Sequence, residues 1–454
     1  MDTKKLRQKI LDLAVHGKLV PQDPNDEPAS VLLERIKAEK EGLIKEGKIK
    51  RNKKSAKTSD TPHYENVPFE VPEGWKSVPV SELFCLNPKS EITDDTSVGF
   101  IPMACVNDGF SGNHQFEKRI WKEVKKGYCH FQNGDIGIAK ISPCFENLKS
   151  TIFQNLPNNY GAGTTELVIL RPLNIHAKFY LYLFKSQWYI SEGTKYFKGV
   201  VGQQRVHKGI FTDLQIPLPP LTEQYRIVAE IEKWFALIDQ IEQGKADLQT
   251  AIKQTKSKIL DLAIHGKLVP QDPNDEPAIE LLKRIHPDFT PCDNGHYENL
   301  PDGWCVCRLE DIVDYEQPTA YIVNSTSYND SYPIPVLTAG KSFIIGYTNE
   351  VKGIYSKLPC IIFDDFTTDS KFVDFPFKVK SSAMKILQVR KYVEIEYVAM
   401  SMNTTRLIGD THKRYWISEY SKLTIPIPPK AEQKRIVDTV HTLFAKLDTI
   451  MKSL

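Results

Sequence analysis

A 27-residue segment occurs twice in this chain, as ILDLAVHGKLVPQDPNDEPASVLLERI from Ile10 to Ile36 and as ILDLAIHGKLVPQDPNDEPAIELLKRI from Ile259 to Ile285, with 23 positions identical. Internal repetition at this level constrains the fold more than any local propensity, because each copy must be used in an equivalent way. A second pair stands at a different offset: LQIPLPPLTEQYRIVAEIEKWFALIDQI from Leu214 matches LTIPIPPKAEQKRIVDTVHTLFAKLDTI from Leu423. HYENVPFEVPEGW (His63 to Trp75) is echoed by HYENLPDGW (His296 to Trp304). Each half therefore reads as a helix, the HGKLVPQDPNDEP loop, a short helix, HYEN and GW, a long variable region, and a helix opened by PxPP-EQ-RIV. The variable regions, roughly 76 to 213 and 305 to 422, are hardly alike. A framework held fixed around two inserts free to differ explains that contrast.

Periodicity says what the framework is. Ile231, Trp234, Ile238, Ile241, Leu248, Ile252, Ile259 and Leu262 recur at steps of three and four, with lapses at Lys245 and Thr255. This is a heptad seam. Pro217, Pro219 and Pro220 cannot lie inside such a helix, Thr222 is a candidate N-cap, and Gly266 can end it. The spacing predicts a helix from about Glu223 to about His265, on the order of 60 Å long. The seam returns at Ile436, Val440, Leu443, Leu447, Ile450 and Leu454, and in part at Leu6, Ile10 and Leu13. By the repeat alignment the C-terminal helix equals the first half of the central helix, and the N-terminal helix equals its second half. The chain is thus a circularly permuted tandem repeat. Two copies of the helix can pack antiparallel about a pseudo-twofold axis, with an insert at each end.

Composition narrows the class without naming it. With 41% apolar and 10% aromatic residues the chain can bury ordinary cores, and no stretch approaches the ~18 apolar residues of a membrane span. The eight cysteines are scattered, without CxxC or zinc spacing, and MDTKKLRQKI lacks the apolar run of a signal peptide, so a reduced, cytoplasmic protein is expected. A net charge of +2 neither demands nor excludes nucleic acid. The densest basic run, KEGKIKRNKKSAK, sets Lys45, Lys48, Lys50, Arg51, Lys53, Lys54 and Lys57 against Glu46 alone. It reads as a solvated linker or as a phosphate-contacting arm. Two unlike domains on a rigid spacer form a distance-measuring device, suited to the ~34 Å repeat of major grooves along one face of DNA.

PLPPLTEQYRIVAEIE, the paired HGKLVPQDPNDEP loops and the doubled architecture resemble the specificity subunits of type I restriction-modification enzymes, over essentially the whole chain. The resemblance implies an α+β protein with two globular α/β target-recognition domains separated by long antiparallel coiled-coil helices. The corresponding divisions are 1–62 (helical region and basic linker), 63–216 (first recognition domain), 217–290 (central region), 291–425 (second recognition domain) and 426–454 (C-terminal helix). It also implies double-stranded DNA as ligand, two copies of an adenine methyltransferase subunit and two translocase-nuclease subunits as partners, and no catalysis by this chain. S-adenosylmethionine, ATP and Mg are then expected in those partners, with no cofactor or metal on this chain. Two nearly identical loops fit two copies of one partner. Part of that contact is expected on His16 and Lys18 and on His265 and Lys267; the alternative is that the loops only turn the chain between helices.

Candidate DNA-reading residues follow from side-chain chemistry. KYFKGVVGQQRVHKG interleaves basic, amide and aromatic residues before the closing PLPP block, offering Lys195, Lys198, Gln203, Gln204, Arg205, His207 and Lys208. The aligned stretch of the second domain offers His412, Lys413, Arg414 and Tyr415, with Arg414 at the position of Arg205. Arginine can bond guanine O6 and N7, glutamine can bond adenine N6 and N7, and lysine mainly neutralises phosphate. Loops after short apolar strands add Lys140 and Ser142, and Thr367, Thr368 and Lys371. Asp364 and Asp365 suggest an acidic metal pair but lack a third acid; accepting from cytosine N4 is the competing reading. No GxGxxG, phosphate loop or amino-methyltransferase motif is found. A self-contained DNA methyltransferase and a coiled-coil scaffold unrelated to DNA are the competing functions.

Overall fold

The computed structural model describes residues 2–49, 69–199, 204–293, 297, 299–339, 342–405 and 414–454. The chain divides into two compact units, Met1–Gln243 and Gly244–Leu454. One continuous helix, Leu221–Ile264, contributes its first half to one unit and its second half to the other. That helix begins slightly before the expected start, directly after Pro220, whose carbonyl already accepts the Gln224 N–H at 3.0 Å. Thr222 is therefore inside the first turn rather than capping it, and its hydroxyl donates to Asp26 at 2.5 Å.

In the first unit the helix Thr3–Val15 is capped by Asp2, whose carboxylate accepts the Lys5 N–H at 3.0 Å. It buries Ile10, Leu11, Ala14 and Val15, while Arg7 bonds Asp239 at 2.7 Å and Glu242 at 2.9 Å on the long helix. In the second unit the C-terminal helix Lys430–Ser453 takes the matching place. Lys256 pairs with Asp448 at 2.6 Å and Lys245 with the carbonyl of Leu454, so the two helices run antiparallel. Of the expected seam, Ile231, Ile238, Ile252 and Ile259 are buried, whereas Trp234, Ile241 and Leu248 keep 40–41% exposure. The buried four stand at whole heptad steps from one another and the exposed three form the alternate column, so one column of the seam is covered and the other is open.

Each inserted domain is closed by a two-stranded antiparallel clasp. Lys76–Pro79 pairs with Gln215–Leu218 in the first unit, and Cys305–Arg308 pairs with Thr424–Ile427 in the second. Inside the clasps, unlike sequences adopt one topology. The first domain has a sheet ordered Phe84–Leu86, Leu167–Pro172, Ile136–Ala139, Ser150–Ile152; the second has Val313–Glu316, Met384–Val389, Cys360–Asp364, Ser370–Val373. All neighbours in both are antiparallel. Each domain adds another sheet around one parallel pair, Ser97–Ile101 with Tyr160–Gly163 and Ile334–Leu337 with Lys378–Val379. A helix, Ala177–Lys185 or Ile395–Thr404, then packs against the first sheet and leads back toward the clasp. Tyr180 and Tyr397, both wholly buried, bind these helices to the clasps through their hydroxyls, which donate to the carbonyls of Pro217 and Pro426.

Candidate DNA-reading interface

The repeated polar residues are used within each unit. Gln22 donates to Gly17 O at 3.2 Å and to Glu223 at 2.8 Å; Gln271 donates to Gly266 O at 2.8 Å and to Glu432 at 3.1 Å. Asp26 grips Arg226 with both oxygens, and Asp275 holds Arg435 at 2.6 Å. Gln224 and Gln433 accept the N–H of His176 and of Glu394, and each donates to a carbonyl of the preceding proline run, Pro219 or Pro428. The loop and the PxPP-EQ-RIV block recur together because each satisfies the other's buried polar groups. Burial raises both Glu223 and Glu432 above the usual carboxylate range.

These latches decide what the loops expose. His16 and His265 each donate Nδ1–H to a carbonyl one turn back, Asp12 O at 2.6 Å and Asp261 O at 2.7 Å, and His16 also packs on Phe69. Both rings are thus committed to the fold, while Lys18 and Lys267 stand exposed beside them.

Four backbone hydrogen bonds assemble the candidate reading surface of the first domain. Val206 N–H donates to Lys140 O at 2.9 Å, Ser142 N–H to Gln204 O at 2.8 Å, and Lys198 and Arg205 exchange bonds at 3.0 and 2.8 Å. Lys140, Ser142, Lys198, Gln204 and Arg205, distant in sequence, are thereby brought together. Ser142 Oγ donates to Glu146 at 2.8 Å. His207 opens the short helix Lys208–Phe211, its Nδ1 accepting the Gly209 N–H at 3.1 Å. Burial and the nearby Lys198 hold its pKa below the ordinary value, so the neutral ring carries its proton on Nε2 and offers a donor there. Lys208 is exposed, as is Lys195, which is ion-paired with Glu192. Gln203 lies outside the described residues, as do His412, Lys413, both HYEN histidines and the basic run from position 50 onward.

The second domain builds the same stitch from other residues. Tyr415 N–H donates to Asp365 O at 2.9 Å, as Val206 does to Lys140, so Asp365 stands where Lys140 stands. Arg414, preceding Tyr415 as Arg205 precedes Val206, is exposed. Tyr415 itself does not read DNA in this arrangement: it is 4% exposed and part of the core, because the bond to Asp365 draws its backbone inward. Thr368 is a second correction. The Asp364 carboxylate accepts the N–H groups of Phe366 and Thr367, and this turn places Thr368 at φ +58° with 1% exposure. Thr367 and Lys371 remain exposed.

Of the acidic pair, Asp364 caps the turn through one oxygen and Asp365 is turned inward. Asp365 is buried against the equally buried Lys385 at 3.2 Å and accepts the Trp416 N–H at 2.8 Å, which replaces the cytosine-reading role with an internal one. Sequence reading missed Glu166, which grips Arg205 with both oxygens; the pair is separated by 39 residues and belongs to no motif. It also missed Lys185, fully buried, whose only signal is a lysine closing the apolar run FYLYLF.

Two like domains carrying unlike surface residues on one repeated framework define a modular recognition protein. Residues 72–250 and 301–454 match the family model of the type I restriction modification DNA specificity domain. The chain is 34% identical to the specificity subunit of the type I restriction enzyme EcoAI of Escherichia coli, over 99% of this chain and 91% of that protein. It is 42% identical to the EcoEI specificity subunit of Escherichia coli over 68% of this chain and 62% of that protein. In fold it is similar to a chain solved in a study of type I restriction-modification complex assembly and conformational transition, with a TM-score of 0.63 at 16% identity, covering 85% of this chain and 94% of that one. The HsdS subunit of Thermoanaerobacter tengcongensis matches at 0.50 and 16%, over 85% and 93%. The chain belongs to the family of type I restriction-modification specificity subunits, and its function is DNA sequence specificity.

Proposed function

We propose that this chain selects a bipartite, asymmetric site in double-stranded DNA, each domain reading one half and the helix Leu221–Ile264 fixing the unread gap. One observation carries this reading: the two domains share a strand order, yet where the first offers the partly exposed Lys140 and His207 the second buries Asp365 and Trp416, so the two surfaces differ at equivalent places. One topology with two side-chain sets gives two half-sites of different sequence. The reading residues of the first domain are Lys140, Ser142, Lys198, Gln204, Arg205, His207 and Lys208, and those of the second are Thr367, Lys371 and Arg414. The domains they belong to span 63–216 and 291–425.

Two methyltransferase subunits dock on the duplicated framework, next to Lys18 and Lys267, and two translocase-nuclease subunits complete the restriction complex in the cytoplasm. Chemistry then resides in the partners, which hold S-adenosylmethionine, ATP and Mg. Adenine methylation requires a flipped base, and this chain positions the subunit that flips it. The test is to co-express the chain with its neighbouring methyltransferase and map methylated adenines across a genome. Two unlike half-sites with a constant gap are expected; a continuous palindromic motif overturns the proposal.

A further inference from the structure

We infer that Glu166 is a specificity-determining positioning residue, which holds Arg205 side-on so that the outer edge of its guanidinium meets a guanine in the half-site of the first domain. The inference rests on the reading of that domain as a DNA reader. Arg205 Nε donates to Glu166 Oε2 at 3.1 Å and Nη2 donates to Oε1 at 2.7 Å. A guanidinium has five N–H donors, and this grip consumes one on Nε and one on Nη2. The remaining hydrogens lie on Nη1 and on the far side of Nη2. Those two nitrogens form the fork that fits guanine O6 and N7.

The backbone beneath the fork is fixed as well. Arg205 is bonded through both N–H and C=O to Lys198, and its neighbours Gln204 and Val206 are tied to Ser142 and Lys140. The Arg205 side chain is nevertheless 49% exposed, against 26% for Glu166, so the arginine is outermost. An exposed ion pair contributes little to stability, which leaves orientation as the better account of a two-point grip on an anchored residue. Glu166 is held below the usual carboxylate range by its hydrogen bonds to Arg205, so the carboxylate is ionised wherever the protein works.

The second domain supplies an internal comparison. Lys140 N–H donates to Glu166 O at 2.9 Å, and Asp365 N–H donates to Ala383 O at 2.9 Å. Because Asp365 occupies the place of Lys140, Ala383 occupies the place of Glu166. One backbone position thus carries a carboxylate in one domain and a methyl group in the other, so the aligned Arg414 has no equivalent support from it. The same scaffold position tunes how each arginine is presented.

The experiment compares wild type, Glu166→Gln and Arg205→Lys, each co-expressed with the methyltransferase, by mapping methylated adenines. The purified complexes are then competed against duplexes that differ only at the guanine in question. Arg205→Lys keeps the charge and removes the fork, so it should lower discrimination for one G·C pair in one half-site about tenfold. Glu166→Gln should relax the same position and leave the other half-site unchanged. If Arg205→Lys alters no position, the reading of this surface as the DNA reader fails. If Arg205→Lys relaxes a G·C pair but Glu166→Gln does not, the positioning role alone fails. Uniform weakening by Glu166→Gln across all duplexes, with base preference intact, also overturns it, as does a relaxed position that is not G·C.

Discussion

The indole N–H of Trp75 donates to the buried carboxylate of Glu223 at 2.8 Å, and the same bond joins Trp304 to Glu432 at 3.1 Å. In each unit this bond fastens the end of the loop region to the first turn of the helix that follows the inserted domain. The insert is thus gripped at both of its ends by one carboxylate. Glu223 also accepts from Gln22, so both of its oxygens are occupied by donors. A glutamine there presents an amide NH2 to one donor and leaves that group unpaired. Glu223→Gln should therefore destabilise the protein by about 1–3 kcal/mol, and Glu432→Gln by a similar amount. Urea unfolding of the full chain measures both, and a change below 0.5 kcal/mol in either contradicts the latch, since ordinary surface substitutions fall within about ±0.5 kcal/mol.

The duplicated glycines make a parallel test. Gly17 sits at φ +65° and Gly266 at φ +64°, and a Cβ would lie 2.4 Å from Pro72 Cγ and 2.3 Å from Pro301 Cγ. Strained backbone and steric contact act together there. Either glycine changed to alanine should cost on the order of 1–3 kcal/mol, because alanine is strained in the left-handed region and the proline ring must move. Thermal unfolding that is unchanged in both variants would show the loops to be free of the GW segments.

How far the sequence reveals the molecule depends on whether a residue's partner is marked by the repeat. Gln22, Asp26, Glu223 and Arg226 recur as Gln271, Asp275, Glu432 and Arg435, so the repeat exposes the framework even though the bonds themselves join residues 160 or more positions apart, as in Asp275 with Arg435. The sheets of the inserted domains are harder to read. Their strands are three to six residues long apart from the two-residue Lys378–Val379, too short for alternation to stand out. Reading residues were chosen by side-chain chemistry, which is blind to burial. The structure brings the chosen Lys140, Ser142 and Arg205 close together and buries Thr368 and Tyr415. The apolar run Tyr415-Trp416-Ile417 is the signal that marks Tyr415 as core. Glu166 could not be found this way, because it is singled out by a contact between segments 39 residues apart and not by its neighbours in sequence.

Asp365 and Lys385 are 2% and 1% exposed at 3.2 Å, and Asp365 also holds the Trp416 N–H. Removing the carboxylate leaves a buried ammonium without its counter-charge and a backbone donor without an acceptor. Asp365→Ala should cost about 3–5 kcal/mol. Asp365→Ala combined with Lys385→Met should recover much of that loss, since a paired removal leaves no buried charge. Failure of the double substitution to recover stability, measured by urea unfolding, would place the cost in the lost bond to Trp416 instead.

Lys185 gives a pH-dependent test in the first unit. Its side chain is fully buried, with Nζ donating to Gly109 O and Leu148 O at 2.7 Å each, and it ties two loops of the domain to the end of the helix Ala177–Lys185. Burial pushes its pKa down from 10.5 to about 7, with Asp108 opposing the shift. Between those two values the unfolded chain keeps the proton and the folded chain releases it. Unfolding then takes up a proton, so stability rises with pH in this window and is lowest where both states are protonated, below about pH 7. The slope from this one group is at most about 1.4 kcal/mol per pH unit. Lys185→Met removes the titration, and its unfolding midpoint should climb less steeply than that of the wild type between about pH 7 and pH 9. Parallel curves would mean that the two carbonyl oxygens hold the ammonium form in place and that burial does not dominate.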